Sequence, residues 1–582
     1  MRIPCLFIAL YFFLVGNAFS QQDDGLTYYE KSGYTATPSY EETVQYAKFL
    51  ANKSNLITYT TFGVSPQGRH LPLLIVNNTD NTDFASIKAE NKAVVLIQAC
   101  IHAGESDGKD AGLMLLRDMA IRRKYLDLLD GVTILFVPIF NVDGHERFGK
   151  YNRINQNGPE EMGWRATAQR LNLNRDYLKA DAPEMLAMIE LYQNCLPDFY
   201  IDCHVTDGAD YVYRLTYGLQ TIGNLNESQT SWLQDIYLPY VSSEMEHSGQ
   251  PIAPYMDFVE WHNPKSGIKA YFETPRYSGG YAAINNRPAL LIETHMLKDY
   301  KTRVTATYDM VLNSIKLISQ KYQELIALNH QADVAAANLF TQADYTLTFK
   351  LRESESKFLY KGFKYSVEKS ALTGGNWYRY SDQPEELEID HYFWEPDLSI
   401  KLPTAYIIPR QWHEVIEKLR LHHVDFEEIR SDTTLEVSTY QFENVHWSTR
   451  SFEGRILLDY EVKPMTKKWR FPAGSVLVHL DQPRAQVAVH LLEPEAPDAL
   501  VKWGFLNTIF EQKEYAESYV MEKMAREMLE QDPKLKEEFD AKIENDPDFA
   551  SSSWSILNWF YQRSPYWDQE INVYPIGRIM KK

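Results

Sequence analysis

Cysteine is scarce in this chain, with four in 582 residues. That excludes a disulfide-stapled scaffold and a thiolate zinc module, both of which need several thiols per domain. Positive charge is also in deficit: 59 Lys and Arg stand against 79 Asp and Glu, a net charge of -20. A duplex nucleic-acid binder needs a basic face, so that class is excluded. No apolar run is long enough to span a bilayer. There is no strict internal repeat. What the chain does have is 44% hydrophobic and 13% aromatic residues, enough for large buried cores. Its length fits three or four units of about 150 residues.

The first twenty residues read as a signal peptide. Met1-Arg2 is a short basic start, Ile3 to Val15 an apolar core, and Ala18 and Ser20 small residues at the −3 and −1 places before Gln21. The expected mature protein is secreted or periplasmic, without a membrane span. Cys5 leaves with the leader. Cys100, Cys195 and Cys203 remain, and three thiols form at most one disulfide.

Four apolar runs mark buried strands: Val94 to Ile101, Gly131 to Val137, Asp198 to Cys203 and Ala289 to Ile292. Unbroken runs of this kind suit a sheet covered on both faces. Helical patterns lie between them, at Lys109 to Ala120 with Asp107 as a start signal, and at Pro183 to Tyr192. Strands alternating with helices predict an α/β fold whose chemistry sits beyond the carboxyl ends of the strands. The residues at those ends are His102-Ala-Gly-Glu105, Asn141-Val-Asp-Gly144, His204 and Glu293.

His102 and Glu105 are two residues apart, and His204 follows after 98 more. Two imidazoles and a carboxylate hold a catalytic zinc and leave a fourth position for water. Zinc lowers the pKa of that water to about 7. Glu293 is then the candidate general base. Each residue alone has a plainer reading: a surface His-x-x-Glu, a packed histidine, a loop-opening glutamate. Cys203 alternates to the other face of its strand from His204, so it belongs to the core; Cys100 lies deeper and does too.

The ordered motifs resemble the zinc carboxypeptidase family of metallopeptidases, the carboxypeptidase A/B type, over roughly residues 25–325. The larger frame resembles a big secreted member of bacterial type with a C-terminal extension. Gly63-Val-Ser-Pro-Gln-Gly-Arg69 is similar to the segment opening the family's first strands. His102, Glu105 and His204 are similar to its zinc ligands, and Asn141 to Gly144 to its Asn-Pro-Asp-Gly turn with Val142 for Pro. Trp164-Arg165 resembles the site of the arginine that polarises the scissile carbonyl. Asn172-Leu-Asn-Arg-Asp-Tyr177 resembles the segment whose Asn174-Arg175 pair grips the terminal carboxylate, and Leu291-Ile-Glu293 the strand ending in the catalytic glutamate. The resemblance implies a mixed sheet flanked by helices, one zinc ion, and peptide substrates with a free C-terminal carboxylate.

Two departures stand out. Asn172 occupies a position where family members often have an Asp orienting a ligand histidine. Pro275 stands where the digestive enzymes carry a mobile Tyr before Gly279-Gly280; Tyr277 or Tyr281 could substitute, with Tyr277 preferred. Two further functions fit: an N-acyl amino-acid deacylase of the related zinc fold, and a non-catalytic peptide-binding protein on the same scaffold.

The expected organisation is a leader at 1–20, a catalytic domain at 21–328 and a smaller mixed α/β or β-rich region with a helical tail at 329–582. In the last, Gln342 to Arg352, Ser475 to Leu480 and Gln486 to Leu491 read as strands, Thr404 to Val424 as strand-helix-strand, and Tyr515 to Ile543 as charged helix. No chemistry is legible there.

Overall fold

The computed structural model describes residues 25–342, 344–353 and 356–581. The stretch read as a leader, Met1 to Ser20, lies outside them.

Helix α1 (Tyr40–Lys53) begins at a capping box in which Ser39 and Glu42 satisfy each other's backbone N–H groups. Strands β1 (Ile57–Val64) and β2 (His70–Val76) pair antiparallel. Then come β3 (Ala93–Ala99), α2 (Asp107–Ala120), β4 (Val132–Val137), α3 (Pro183–Cys195) and β5 (Phe199–Thr206). They are followed by β6 (Leu215–Leu219), β7 (Ile252–Pro254), β8 (Ala289–His295) and the long α4 (Tyr300–Ala336). The eight strands form one mixed sheet in the order β1-β2-β4-β3-β5-β8-β6-β7. Its centre, β4-β3-β5-β8, is parallel, with antiparallel neighbours on either side. Every residue of those four strands is buried, which is why they read as continuous apolar runs.

Successive residues serve opposite cores. Val94, Leu96, Leu135 and Tyr200 cluster with Met185, Met188 and Ile189 of α3. Val95, Ile97, Phe136 and Ile201 cluster with Leu113 and Leu116 of α2 and Ile315 of α4. A Cβ at Gly112 would lie 2.2 Å from the Phe136 ring, so glycine lets α2 lie close against β4.

Helix α4 runs through residue 328 to Ala336, and the next strand starts at Tyr345. A long hairpin follows, β9 (Ser356–Lys369) with β10 (Asn376–Tyr392). Next come β11 (Ala405–Ile408), α5 (His413–Leu421), β12 (Thr433–Trp447), β13 (Leu458–Phe471), β14 (Val476–His479) and α6 (Ala485–Leu492). The helices α7 (Ser518–Gln531), α8 (Pro533–Asn545) and α9 (Ser553–Tyr561) and the short β15 (Gly577–Ile579) complete the chain. β14, β11, β15, β12 and β13 are successive neighbours in a second sheet.

The stretch Gln486 to Leu491, expected as a strand, is helix α6. All of its residues are buried, including the polar Gln486 and His490, so the Val-Ala-Val-His-Leu run has the valine-rich look of a buried strand. The strand expected at Val424 instead starts at Glu427, as the two-residue Glu427–Glu428; Tyr515 to Ile543 forms α7 and α8, broken at Asp532-Pro533. The α3-side core continues through Tyr406, Ile408, Val487, Leu491 and Trp503, so the two sheets share one apolar interior. Cys100, Cys195 and Cys203 are buried free thiols. No described helix is long and apolar enough to cross a membrane.

Candidate active site

His102 and Glu105 lie on the turn between β3 and α2, closed by the Glu105 N–H donating to the His102 carbonyl at 2.9 Å. The chain can turn so sharply because Cys100 adopts a left-handed conformation, φ 58°. The Asn141 side chain braces this turn from the next loop. Its amide reaches the carbonyls of Ile101 (3.4 Å) and Arg165 (3.2 Å), and its oxygen accepts from Gly144 N–H at 2.9 Å. A Cβ at Gly144 would lie 2.5 Å from the Ala166 carbonyl, so this approach requires glycine. Asp143 accepts from Ser65 Oγ (2.7 Å), Gln67 N–H (3.0 Å) and Arg69 Nη1 (2.8 Å), which joins the Gly63–Arg69 motif to the Asn141–Gly144 turn.

His204 comes from β5 and Glu293 from β8. They are register partners across this parallel pair, so their side chains share a face. Cys203 points the other way, against Gly108 of α2.

The side chains of His102, Glu105 and His204 are all buried, and one donor atom from each lies within 4.8 Å of the others. His102 Nδ1 is 3.1 Å from Glu105 Oε1, and His204 Nδ1 is 3.1 Å from Glu105 Oε2. Four donors at about 2.0–2.1 Å around a tetrahedral zinc stand about 3.3 Å apart, so this spacing suits that ion. The far nitrogens are already engaged. His102 Nε2 is 3.1 Å from Asn172 Oδ1, and His204 Nε2 is 2.8 Å from Asp202 Oδ2. Both imidazoles are thereby turned to aim Nδ1 at the Glu105 carboxylate, the arrangement in which the three side chains could hold a metal ion. Burial pushes the Glu105 carboxyl up, but His102, Arg153 and His204 outweigh it and hold it well below the usual carboxylate range. It is therefore anionic, as a ligand must be.

All eight residues singled out from the sequence line one cavity of about 350 Å³: His102, Glu105, Arg165, Asn174, Arg175, His204, Tyr277 and Glu293. Arg165 Nη1 stands 3.6 Å from Glu105 Oε1, with its side chain half exposed toward the opening. Arg175 donates to the Asn174 carbonyl at 2.6 Å, and its guanidinium lies over the Tyr277 ring at 4.4 Å. The buried side-chain oxygen of Asn174 and Glu293 Oε2 have no hydrogen-bond partner. Burial drives the Glu293 carboxyl well above its ordinary range; His204 opposes this, and Glu105, Asp202 and Glu273 reinforce it. Tyr281, the alternative to Tyr277, is in the core, bonded to Gln193 and His422.

Four residues in or beside this cavity had gone unremarked. Asp202 sits two residues before His204 on the same strand face, a spacing that could have betrayed it. Arg153 reaches Glu105 Oε1 at 2.9 Å. Tyr271 and Glu273 line the wall, and burial raises the Glu273 carboxyl to about 7. These last three lie on loops with no periodic pattern to mark them.

Residues 43–209 match the family model described as zinc carboxypeptidase. The chain carries a zinc carboxypeptidase domain. It is a metallopeptidase. Among curated relatives, Carboxypeptidase 2 of Trichophyton rubrum is 22% identical over 488 residues, 81% of this chain and 85% of that protein. Carboxypeptidase 2 of Trichophyton equinum is 22% identical over 491 residues, with the same coverage. Alignments of this length take in part of the region beyond α4 as well as the zinc carboxypeptidase domain. Among solved structures, a putative carboxypeptidase A from Shewanella denitrificans is 17% identical with a TM-score of 0.38, over 49% of this chain and 69% of that one. Carboxypeptidase A of Helicoverpa armigera is 18% identical with a TM-score of 0.37, over 49% of this chain and 74% of that one.

Proposed function

We propose that this protein is exported and removes residues one at a time from the C-termini of peptides, using one zinc ion held by His102, Glu105 and His204. In this reading residues 1–20 are the cleaved leader, 21–328 the catalytic unit and 329–582 an extension. Bound zinc supplies a Lewis acid for the scissile carbonyl and a water acidified to a pKa of about 7.

The chain's own residues do the rest. Arg175 and Asn174 receive the substrate's terminal carboxylate, the guanidinium by two parallel hydrogen bonds. Tyr277, stacked under Arg175, closes that end of the cavity. Arg165 carries the charge that develops on the scissile oxygen, an effect of about 3 kcal/mol when such a donor is lost. Glu293 accepts a proton from the attacking water and returns it to the departing amine. Its raised affinity for a proton suits both steps. Asp202 and Asn172 hold the two imidazoles in the tautomer that leaves Nδ1 free for the metal.

The observation that carries the reading is the unpaired, buried Glu293 carboxyl, in register with His204 and opening on the same cavity as Arg175. Mass spectrometry of a diverse peptide pool tests it. The expected product is a ladder of C-terminally shortened peptides, with C-terminally amidated peptides left intact. Internal cleavage, or turnover of N-acyl amino acids with peptides untouched, would overturn it, the second in favour of the deacylase.

A further inference from the structure

The region beyond α4 reaches into the catalytic unit at the place where a ligand histidine is held. Between β12 and β13 a tight two-residue turn is closed by Phe452 and Arg455, whose backbones exchange hydrogen bonds of 2.8 and 3.0 Å. Glu453 and Gly454 at its tip have φ of 49° and 78°, the left-handed pair that such hairpin turns require. This conformation projects Glu453 forward, and its Oε2 accepts the backbone N–H of Asn172 at 2.7 Å. The side-chain oxygen of Asn172 in turn faces His102 Nε2 at 3.1 Å and takes the Asn174 N–H at 3.0 Å.

The turn is anchored on both sides. Arg455 forms a two-point pair with Asp181, at 2.9 and 2.7 Å, and its guanidinium lies 3.6 Å over the Phe505 ring. Phe452 stacks on the buried Trp503 at 5.9 Å. Nearby, buried Asp498 receives both the backbone N–H (2.9 Å) and Nε (2.6 Å) of Arg276, the residue before Tyr277. A surface docked only for stability has no need to send a carboxylate to the backbone of the residue that stands behind the His102 imidazole.

We propose that Glu453 is a positioning residue of the metal site: it fixes the Asn172 backbone, and through the Asn172 side chain the aim of the His102 imidazole. The inference rests on the ligand set proposed above. It gives the C-terminal region a part in the chemistry of the N-terminal one, and predicts that zinc affinity responds to a residue 281 positions from Asn172.

The test uses the full-length protein and competition between it and a chromophoric chelator for zinc. Glu453→Ala is expected to weaken zinc binding on the order of 10-fold, the lower end of what partners behind a ligand contribute. Glu453→Gln keeps an accepting oxygen at the same reach and should bind zinc within about 2-fold of the native protein. Glu453→Asp keeps the charge but falls one methylene short, so it should resemble the alanine variant; it serves as the loss-of-contact arm if alanine does not fold. Unchanged zinc affinity in the alanine or aspartate variant, or an equal loss with glutamine, would overturn the proposal. Because the readout is metal affinity, it is separate from the peptidase reading. Native protein that binds zinc tightly but cleaves no peptide would defeat that reading while leaving this comparison intact.

Discussion

Glu293 and His204 face each other as register partners on neighbouring parallel strands, β8 and β5. A one-residue slip in that pairing would turn one of them to the opposite face of the sheet. The register is held by two fully buried strands and by Thr294, whose hydroxyl donates to Asp107 Oδ2 at 2.6 Å on the α2 side. The proposed proton acceptor and the proposed metal ligand are thus placed together by the sheet itself, and the loops add the remaining groups around them.

Asp202 lies on the same strand face as His204, and its carboxylate holds His204 Nε2 at 2.8 Å. Asp202→Asn removes the charge behind the ligand and is expected to lower zinc affinity about 10- to 100-fold. Chelator competition measures this directly, and an affinity equal to the native protein's would show that His204 needs no such partner.

Arg175 is the proposed anchor for a free carboxylate. Arg175→Ala should cost about 3 kcal/mol of transition-state binding, on the order of 100-fold in kcat/KM for free-acid peptides. More tellingly, the preference for free-acid over amidated peptides should collapse. Arg175→Lys keeps the charge but not the planar fork, so it should recover only part of the rate. A preference unchanged in the alanine variant would mean that the carboxylate is read elsewhere.

Much of this was legible from residue order. The central strands announced themselves as apolar runs because both their faces are covered. His102, His204 and Glu293 each stood directly after such a run, and Glu105 three residues after His102. The long hairpin β9–β10 was passed over for the opposite reason: most of its residues are exposed, and it lacks the unbroken apolar run that marked the central strands, although Phe363, Tyr365 and Val367 alternate with polar residues. Asp202 was hidden inside an apolar run. Tyr271 and Glu273 reach the cavity from a loop, and Glu453 touches Asn172 across 281 positions, a relation that no local pattern encodes.

Stability should carry its own pH signature, from Glu184 in the first turn of α3. Both of its carboxyl oxygens are buried without a partner, and burial raises its pKa from 4.5 to about 7, with Asp143 and Asp176 adding to the rise. Between those two values the unfolded chain has released a proton that the folded protein still holds. Stability contributed by this group therefore falls as pH rises from about 4.5 to 7 and levels off above. Glu184→Gln removes the ionisation. Urea unfolding should show the variant gaining on the native protein between pH 5 and pH 8, and a difference that does not grow with pH would contradict the assignment.

The most direct test of the central claim combines metal and base. Native protein and Glu293→Gln are stripped with a chelator, retitrated with zinc, and followed for bound metal and for release of C-terminal residues. The account predicts one zinc per chain in both, activity restored in the native protein alone, and a loss in the variant of several orders of magnitude. Peptide release by the zinc-loaded variant at a rate near the native one, or full native activity without zinc, would contradict it.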